Sequence, residues 1–137
     1  MMNLIFKKKP KYVSYEDIQN IIRYNSNKYI IINTLLINEQ NCLIKNTVIS
    51  HNEESVINNS INNYDYDKCI IIYGKNCNDE TVENKLTQIN GLGFKNAYIY
   101  KGGIFEWLLM QDIFGKDLFP TTSEILDILK YKPINIL

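Results

Sequence analysis

The chain has 137 residues, 45% of them hydrophobic, and this length predicts one compact domain with a substantial core. Fifteen basic residues balance fifteen acidic ones, so the formal net charge is zero and neither nucleic acid nor an anionic membrane surface is indicated as a partner. Since no apolar run approaches the roughly 20 residues that a membrane-spanning helix needs, the sequence predicts a soluble protein without a membrane span.

The first predicted unit is a loose tail over residues 1–11. Its start, MMNLIFKKKP, has its charges after a very short apolar patch and therefore does not resemble a secretory signal. The alternative is a tail that contacts a membrane or a partner through Leu4, Ile5, Phe6 and the three lysines that follow them. Beyond the tail, Ser14 followed by Asp17 resembles a capping box with Asp in place of Glu, and isoleucines at helical spacing predict a helix over SYEDIQNIIRYN.

The apolar, β-branched run from Tyr29 to Ile32 predicts a strand that is covered on both faces, as in a parallel sheet. The segment from Asn33 to Asn46 is polar and weakly patterned, and we expect a loop with one turn of helix there. Thr47 to Ser50 predicts a short strand. Asn52 to Asn63 then predicts a helix with carboxylates in its first turn.

Cys69 to Tyr73 forms the second strong strand pattern, which Gly74 ends. A short polar loop follows, and a helix is predicted over Thr81 to Gly91. The segment GLGF ends that helix with glycines that can take a left-handed cap. A third strand is predicted from Ala97 to Tyr100.

Gly102 and Gly103 lead into the apolar helix IFEWLLMQDIF, and we expect both glycines to be structural, letting this turn pass close beneath the preceding loop. Trp107 on that helix is expected to pack in the core. A last, amphipathic helix is predicted over Ser123 to Lys130, either covering the sheet or docking onto another chain.

Strands that alternate with helices in this way predict βαβ units with right-handed crossovers. The expected fold is a three-layer α/β sandwich, with a central, mainly parallel sheet flanked by helices. We expect residues 12–137 to form a single domain with a C-terminal helical extension. In such folds sites form where the carboxyl ends of the strands meet helix N-termini, and the loop after Tyr73 lies at that edge.

The loop after the second strong strand is the candidate site. Backbone N–H groups at the start of a helix form a cradle for an anion or a thiolate. The predicted anion-binding residues are Gly74, Lys75, Asn76, Cys77, Asn78 and Asp79.

The three cysteines, Cys42, Cys69 and Cys77, are an odd number and include no CxxC pair, which favours a reducing compartment, cytoplasmic or another intracellular one. Together with the lone His51 they lack metal-ligand spacing, so the sequence predicts no metal and no cofactor. Cys77 is the candidate catalytic residue, with an ordinary loop cysteine as the alternative. Cys69 is expected to be a small hydrophobic core residue.

The strand IIIY with its loop and helix, then LGFKNAYIY, then GGIFEW together resemble the rhodanese-like family, whose GG-x-x-x-W signature the last segment matches. The resemblance covers roughly residues 12 to 115 and is strongest after Lys68. It implies a cysteine at the first loop position, where enzymes of the family accept a sulfur atom as a persulfide.

This chain departs from the family pattern at several positions that bear on activity. Gly74 stands at the first loop position, and Asn33, Thr34 and Leu35 replace the usual Asp-Val-Arg strand end. Asp79 is a natural helix cap whose side chain would occupy the N–H groups that an anion needs. The related phosphatases need an arginine that closes a longer loop, and the sole arginine here is Arg23, on the first predicted helix.

Two functional hypotheses follow from these residues. The favoured one is a pseudoenzyme, a rhodanese-like module without ordinary sulfurtransferase activity that acts in binding or regulation, its partner a protein or a small anion. The alternative is a thiosulfate or persulfide sulfurtransferase that takes sulfur from a sulfane sulfur donor on Cys77. The sequence argues against phosphatase activity.

Overall fold

Four short strands form one parallel sheet in the computed structural model, which describes residues 9–24 and 26–137. Within these residues the strands are β1 (Tyr12–Val13), β2 (Tyr29–Asn33), β3 (Cys69–Tyr73) and β4 (Asn96–Tyr100). Their order in the sheet is β1-β4-β3-β2, and Ile30 of β2 lies opposite Ile70 of β3. The helices are α1 (Tyr15–Tyr24), α2 (Ser50–Asn62), α3 (Thr81–Gly91) and α4 (Gly103–Phe114), and two 3₁₀ turns cover Ile37–Glu39 and Ile128–Tyr131.

The core lies on both faces of the sheet because β2 and β3 are apolar at nearly every position. Ile30 and Ile32 pack in one cluster with residues of α2 and α3, whereas Ile31 packs in the other with residues of α1 and α4. Side chains that alternate along a strand reach opposite faces, so each strand contributes to both clusters. The predicted three-layer sandwich with a central parallel sheet is therefore confirmed.

The capping box at the start of α1 is confirmed. The Ser14 N–H donates to Asp17 Oδ2 at 2.9 Å, and the Asp17 N–H donates to Ser14 Oγ at 3.3 Å. The shorter Asp side chain thus does what Glu usually does in this motif. Of the predicted tail, residues 1–8 lie outside the described residues.

The strand predicted at Thr47 to Ser50 is wrong. Only Thr47 forms a bridge, to Ile31, and α2 begins at Ser50. The loop with one helical turn between β2 and α2 is confirmed, since the first 3₁₀ turn lies there.

The helix predicted from Ser123 to Lys130 is also wrong, because tertiary hydrogen bonds hold the start of this segment in an irregular conformation. The Thr122 N–H donates to the Leu43 carbonyl at 2.8 Å, and the Leu43 N–H donates to Thr122 Oγ1 at 3.0 Å. The Ser123 hydroxyl donates to the carbonyl of Asn41. Side chains that bond the backbone in this way compete with helix formation, and only the 3₁₀ turn at Ile128–Tyr131 remains.

Within the residues that the structure describes, no helix has the length and apolarity to cross a membrane.

Candidate functional site

The carboxyl ends of β2, β3 and β4 meet at one edge of the sheet, and the loop after Tyr73 lies over it. A cavity of about 760 Å³ opens there. It is lined by residues 75–81, by residues 34–36 with Glu39, by Glu83 and Lys101, and by Ile134 and Ile136 near the C-terminus. The predicted loop therefore does border a cavity, which is where ligands bind in open parallel sheets.

The start of α4 supports the loop from beneath. The Ile104 N–H donates to the Gly74 carbonyl and the Phe105 N–H to the Lys75 carbonyl, both at 3.0 Å. Gly103 has φ +69°, and a Cβ placed on it would lie 2.6 Å from the Gly74 oxygen. Only glycine combines this conformation with so close an approach, which explains the second glycine of the GG pair.

Two buried tyrosines end the central strands below the loop. The Tyr100 hydroxyl donates to Glu106 Oε1 at 2.6 Å, and the Tyr73 hydroxyl accepts from the Ile44 N–H at 3.1 Å and lies 2.8 Å from Thr47 Oγ1. Burial raises the pKa of both phenols well above the ordinary value. Both therefore stay neutral at physiological pH and serve as hydrogen-bonded supports.

Asp79 closes the loop on itself. Its Oδ2 accepts from the Lys75 N–H at 2.8 Å, and its Oδ1 accepts from the Thr81 N–H at 3.0 Å and from the Thr81 hydroxyl at 2.6 Å. One carboxylate thus joins the start of the loop to Thr81, the first residue of α3, from one position ahead of the N-cap residue Glu80.

The Asp79 carboxylate also occupies the space beside Gly74 into which a side chain at that position would project. A Cβ placed on Gly74 would lie 2.9 Å from Asp79 Cγ and 3.0 Å from Thr34 Oγ1. The contact with Asp79 is shorter than real Cβ atoms show, and the contact with Thr34 is at the tight limit. A side chain at position 74 therefore requires the Asp79 carboxylate, which the Lys75 and Thr81 N–H groups hold in place, to shift.

Asn76 accepts hydrogen bonds from two further N–H groups of the loop. Its Oδ1 accepts from the Asn78 N–H at 2.9 Å, its carbonyl accepts from the Asp79 N–H at 3.2 Å, and its side-chain Nδ2 donates to the Tyr131 carbonyl at 2.9 Å. Within the described part of the chain, the N–H groups of Asn76 and Cys77 have no hydrogen-bond acceptor. Three of the six N–H groups of the predicted cradle, those of Lys75, Asn78 and Asp79, are thus bonded within the protein and are not available to an anion.

The charges around the cavity are mainly negative. Lys75 is paired with Glu39, with 2.5 Å between Nζ and Oε2, so its ammonium is held at the rim. The lining holds two lysines, Lys75 and Lys101, against four acidic residues, namely Glu39, Asp79, Glu80 and Glu83. Arg23 lies on α1 and is not part of the lining. This balance disfavours a small anion.

The three cysteines have different surroundings. Cys77 is exposed and lines the cavity, and its Sγ lies 3.8 Å from Asn78 Oδ1. Cys42 is buried, and its thiol donates to the Ser123 carbonyl. Cys69 is half-buried at the opposite end of β3, where burial raises the pKa of its thiol. In the described ranges, no group of three or more His, Cys, Asp or Glu side chains is placed to hold a metal.

Several residues of the site carried no signal in the sequence. Glu39, Ile134 and Ile136 line the cavity, and Tyr131 holds the loop through Asn76. These residues reach the loop through tertiary folding, which neither spacing nor periodicity reveals. Trp107 is fully buried and Gly103 approaches the loop, whereas a Cβ on Gly102 would meet the side chain of Glu106 and not the loop.

Comparison with known proteins identifies the family and supports the fold. A family model described as Rhodanese-like domain matches residues 23–110. Among solved structures, the Alr3790 protein from Anabaena is 17% identical with a TM-score of 0.59, over 86% of this chain and 97% of that one. The single-domain sulfurtransferase RDL2 of Saccharomyces cerevisiae is 20% identical with a TM-score of 0.56, over 84% and 99%. No curated protein matches the chain.

Proposed function

This chain belongs to the rhodanese-like domain family, and we propose that it is a binding or regulatory module whose loop does not perform the family's ordinary sulfur transfer. The observation that carries the proposal is the Asp79 carboxylate beside Gly74. It fills the position from which a first-position cysteine would act, and it accepts the Lys75 N–H that a bound anion would use.

Charge supports the same proposal. In sulfur transfer a thiolate attacks the outer sulfur of thiosulfate, a new S–S bond forms, and sulfite leaves with the bonding electrons. The thiolate and the donor are both anions, so the reaction needs cations or free N–H groups nearby. Lys75 is held by Glu39, and the acidic residues of the lining outnumber the lysines. The cavity therefore suits a neutral or cationic group better than thiosulfate.

Intact-mass spectrometry after incubation with thiosulfate tests the proposal. A transferred sulfur adds about 32 Da, the mass of one persulfide sulfur. We expect no adduct on the wild-type chain and little on Gly74→Cys, because Asp79 crowds and repels the new thiolate. Gly74→Cys combined with Asp79→Ser should gain the sulfur at least about tenfold faster, since serine keeps a capping oxygen and removes the charge.

The matched control combines Gly74→Cys with Glu54→Ser, which removes an exposed carboxylate that does not line the cavity. This control should behave like Gly74→Cys alone. If the wild-type chain takes up sulfur, or if the Asp79→Ser combination is no faster than the Glu54→Ser control, the proposal is wrong.

One observation favours a second function, that of a persulfide carrier using Cys77. Its thiol is exposed in the cavity, and the N–H groups of Asn76 and of Cys77 itself have no acceptor within the described residues. A wild-type adduct of one sulfur that is lost in Cys77→Ala and retained in Cys69→Ala would establish this function. An adduct that survives Cys77→Ala would exclude it.

A further inference from the structure

The C-terminal residues 133–137, called the strap here, form one side of the loop cavity. Ile134 and Ile136 belong to the cavity lining, yet their side chains are 87% and 91% exposed. They therefore border the cavity without filling it. Covering exposed isoleucines lowers the free energy of the protein, because apolar surface is then removed from water.

The strap begins at a fixed point. Tyr131 is fully buried, its carbonyl accepts from Asn76 Nδ2 at 2.9 Å, and its hydroxyl donates to the Glu39 carbonyl at 3.3 Å. The Lys132 N–H donates to the Leu129 carbonyl at 3.1 Å. The base of the strap is thus tied both to the loop and to the opposite rim of the cavity.

Pro133 sets the direction of the strap. Proline has a fixed φ and no N–H, and Lys132 before it already has extended backbone angles, so the 3₁₀ turn does not continue into the strap. Ile134 and Ile136 both belong to the cavity lining, so the strap presents two apolar residues to the cavity. Leu36 lines the same cavity and is 66% exposed. The strap and Leu36 thus both present apolar surface that closure would bury.

We propose that the strap is a lid that closes over the loop, turning at Lys132 and Pro133 while Tyr131 stays in place. In the closed position Ile134 and Ile136 meet Leu36 and cover Cys77. The lid controls access to the cavity, whatever group the cavity binds.

Disulfide trapping in the full chain tests the closure. In Ile136→Cys, two thiols lose two protons and two electrons to the oxidant diamide, which becomes a hydrazine, and an S–S bond to Cys77 forms. Mass spectrometry of the digested protein identifies the linked peptides. The control is Leu126→Cys, which replaces a side chain that is 94% exposed and outside the lining.

We expect the link from position 136 to form on the order of tenfold faster than the link from position 126, because a short tether raises the local concentration of one thiol at the other. Equal rates would overturn the proposal. Hydrogen exchange then tests whether the trapped strap covers the loop: the amides of Asn76 and Cys77 should exchange several-fold more slowly than in the reduced protein. A link that leaves their exchange unchanged would also overturn it.

Discussion

Replacing Gly103 with alanine should destabilise the protein because the loop rests directly on this residue. Two terms add. The left-handed backbone at φ +69° costs a residue with a Cβ about 1–2 kcal/mol. The new Cβ would also lie 2.6 Å from the Gly74 oxygen and 2.9 Å from the Asn76 nitrogen, and overpacking of this kind costs about 1–3 kcal/mol more. We therefore expect a loss of about 2–5 kcal/mol in the free energy of unfolding.

Urea denaturation measures this loss, and the buried side chain of Trp107 provides the fluorescence signal. Two other glycines serve as controls. Gly91→Ala lies in α3 with nothing within 4 Å of the new Cβ, so it should be neutral or stabilising by up to about 1 kcal/mol. Gly115→Ala also has open space but has φ +98°, so it should lose about 1–3 kcal/mol from backbone strain alone.

The glycine series separates conformational strain from contact with the loop. If the free energy of unfolding of Gly103→Ala lies within about 0.5 kcal/mol of the wild-type value, the close approach of α4 to the loop is refuted, since neither expected cost would be present.

Two further predictions concern Asp79 and the buried tyrosines. Asp79→Ala should lower the free energy of unfolding by about 1–2 kcal/mol, because the Lys75 and Thr81 N–H groups lose their acceptor. The control Glu54→Ala should change it by less than about 0.5 kcal/mol. Equal effects of the two variants in urea denaturation would contradict the loop geometry. Burial raises the pKa of Tyr73 above its value in the unfolded chain, which is about 10. The free energy of unfolding should therefore not depend on this group below about pH 10 and should fall above it, by about 1.4 kcal/mol at pH 11. Tyr73→Phe should lessen the alkaline loss of stability and the exposed Tyr64→Phe should not, and identical pH profiles of the two variants would refute this assignment.

The strands and the loop could be predicted from the sequence because their signals are local. The β-branched run ending at Tyr73, the glycine after it and the polar residues before α3 determine a strand, a turn and a helix start without help from distant residues. The capping role of Asp79 follows from its place at the start of the helix. Its contact with the space beside Gly74 does not, because it depends on how tightly the loop curls.

The C-terminal part was mispredicted for the opposite reason. The apolar spacing around Ile125 and Ile128 is typical of a helix, but Thr122 and Leu43 exchange hydrogen bonds that hold the chain in an irregular conformation. Such pairings join residues far apart in the sequence, and propensity gives way to them. For the same reason, nothing in the sequence placed Ile134 or Ile136 at the cavity.

The carboxylate beside Gly74 also bears on how such a loop can change over evolutionary time. A cysteine at position 74 meets a crowded, anionic neighbour, while loss of Asp79 alone leaves the Thr81 N–H at the start of α3 without its acceptor. A side chain at position 74 and the Asp79 carboxylate compete for one space, so the two positions are coupled and a change at one is tolerated best together with a change at the other.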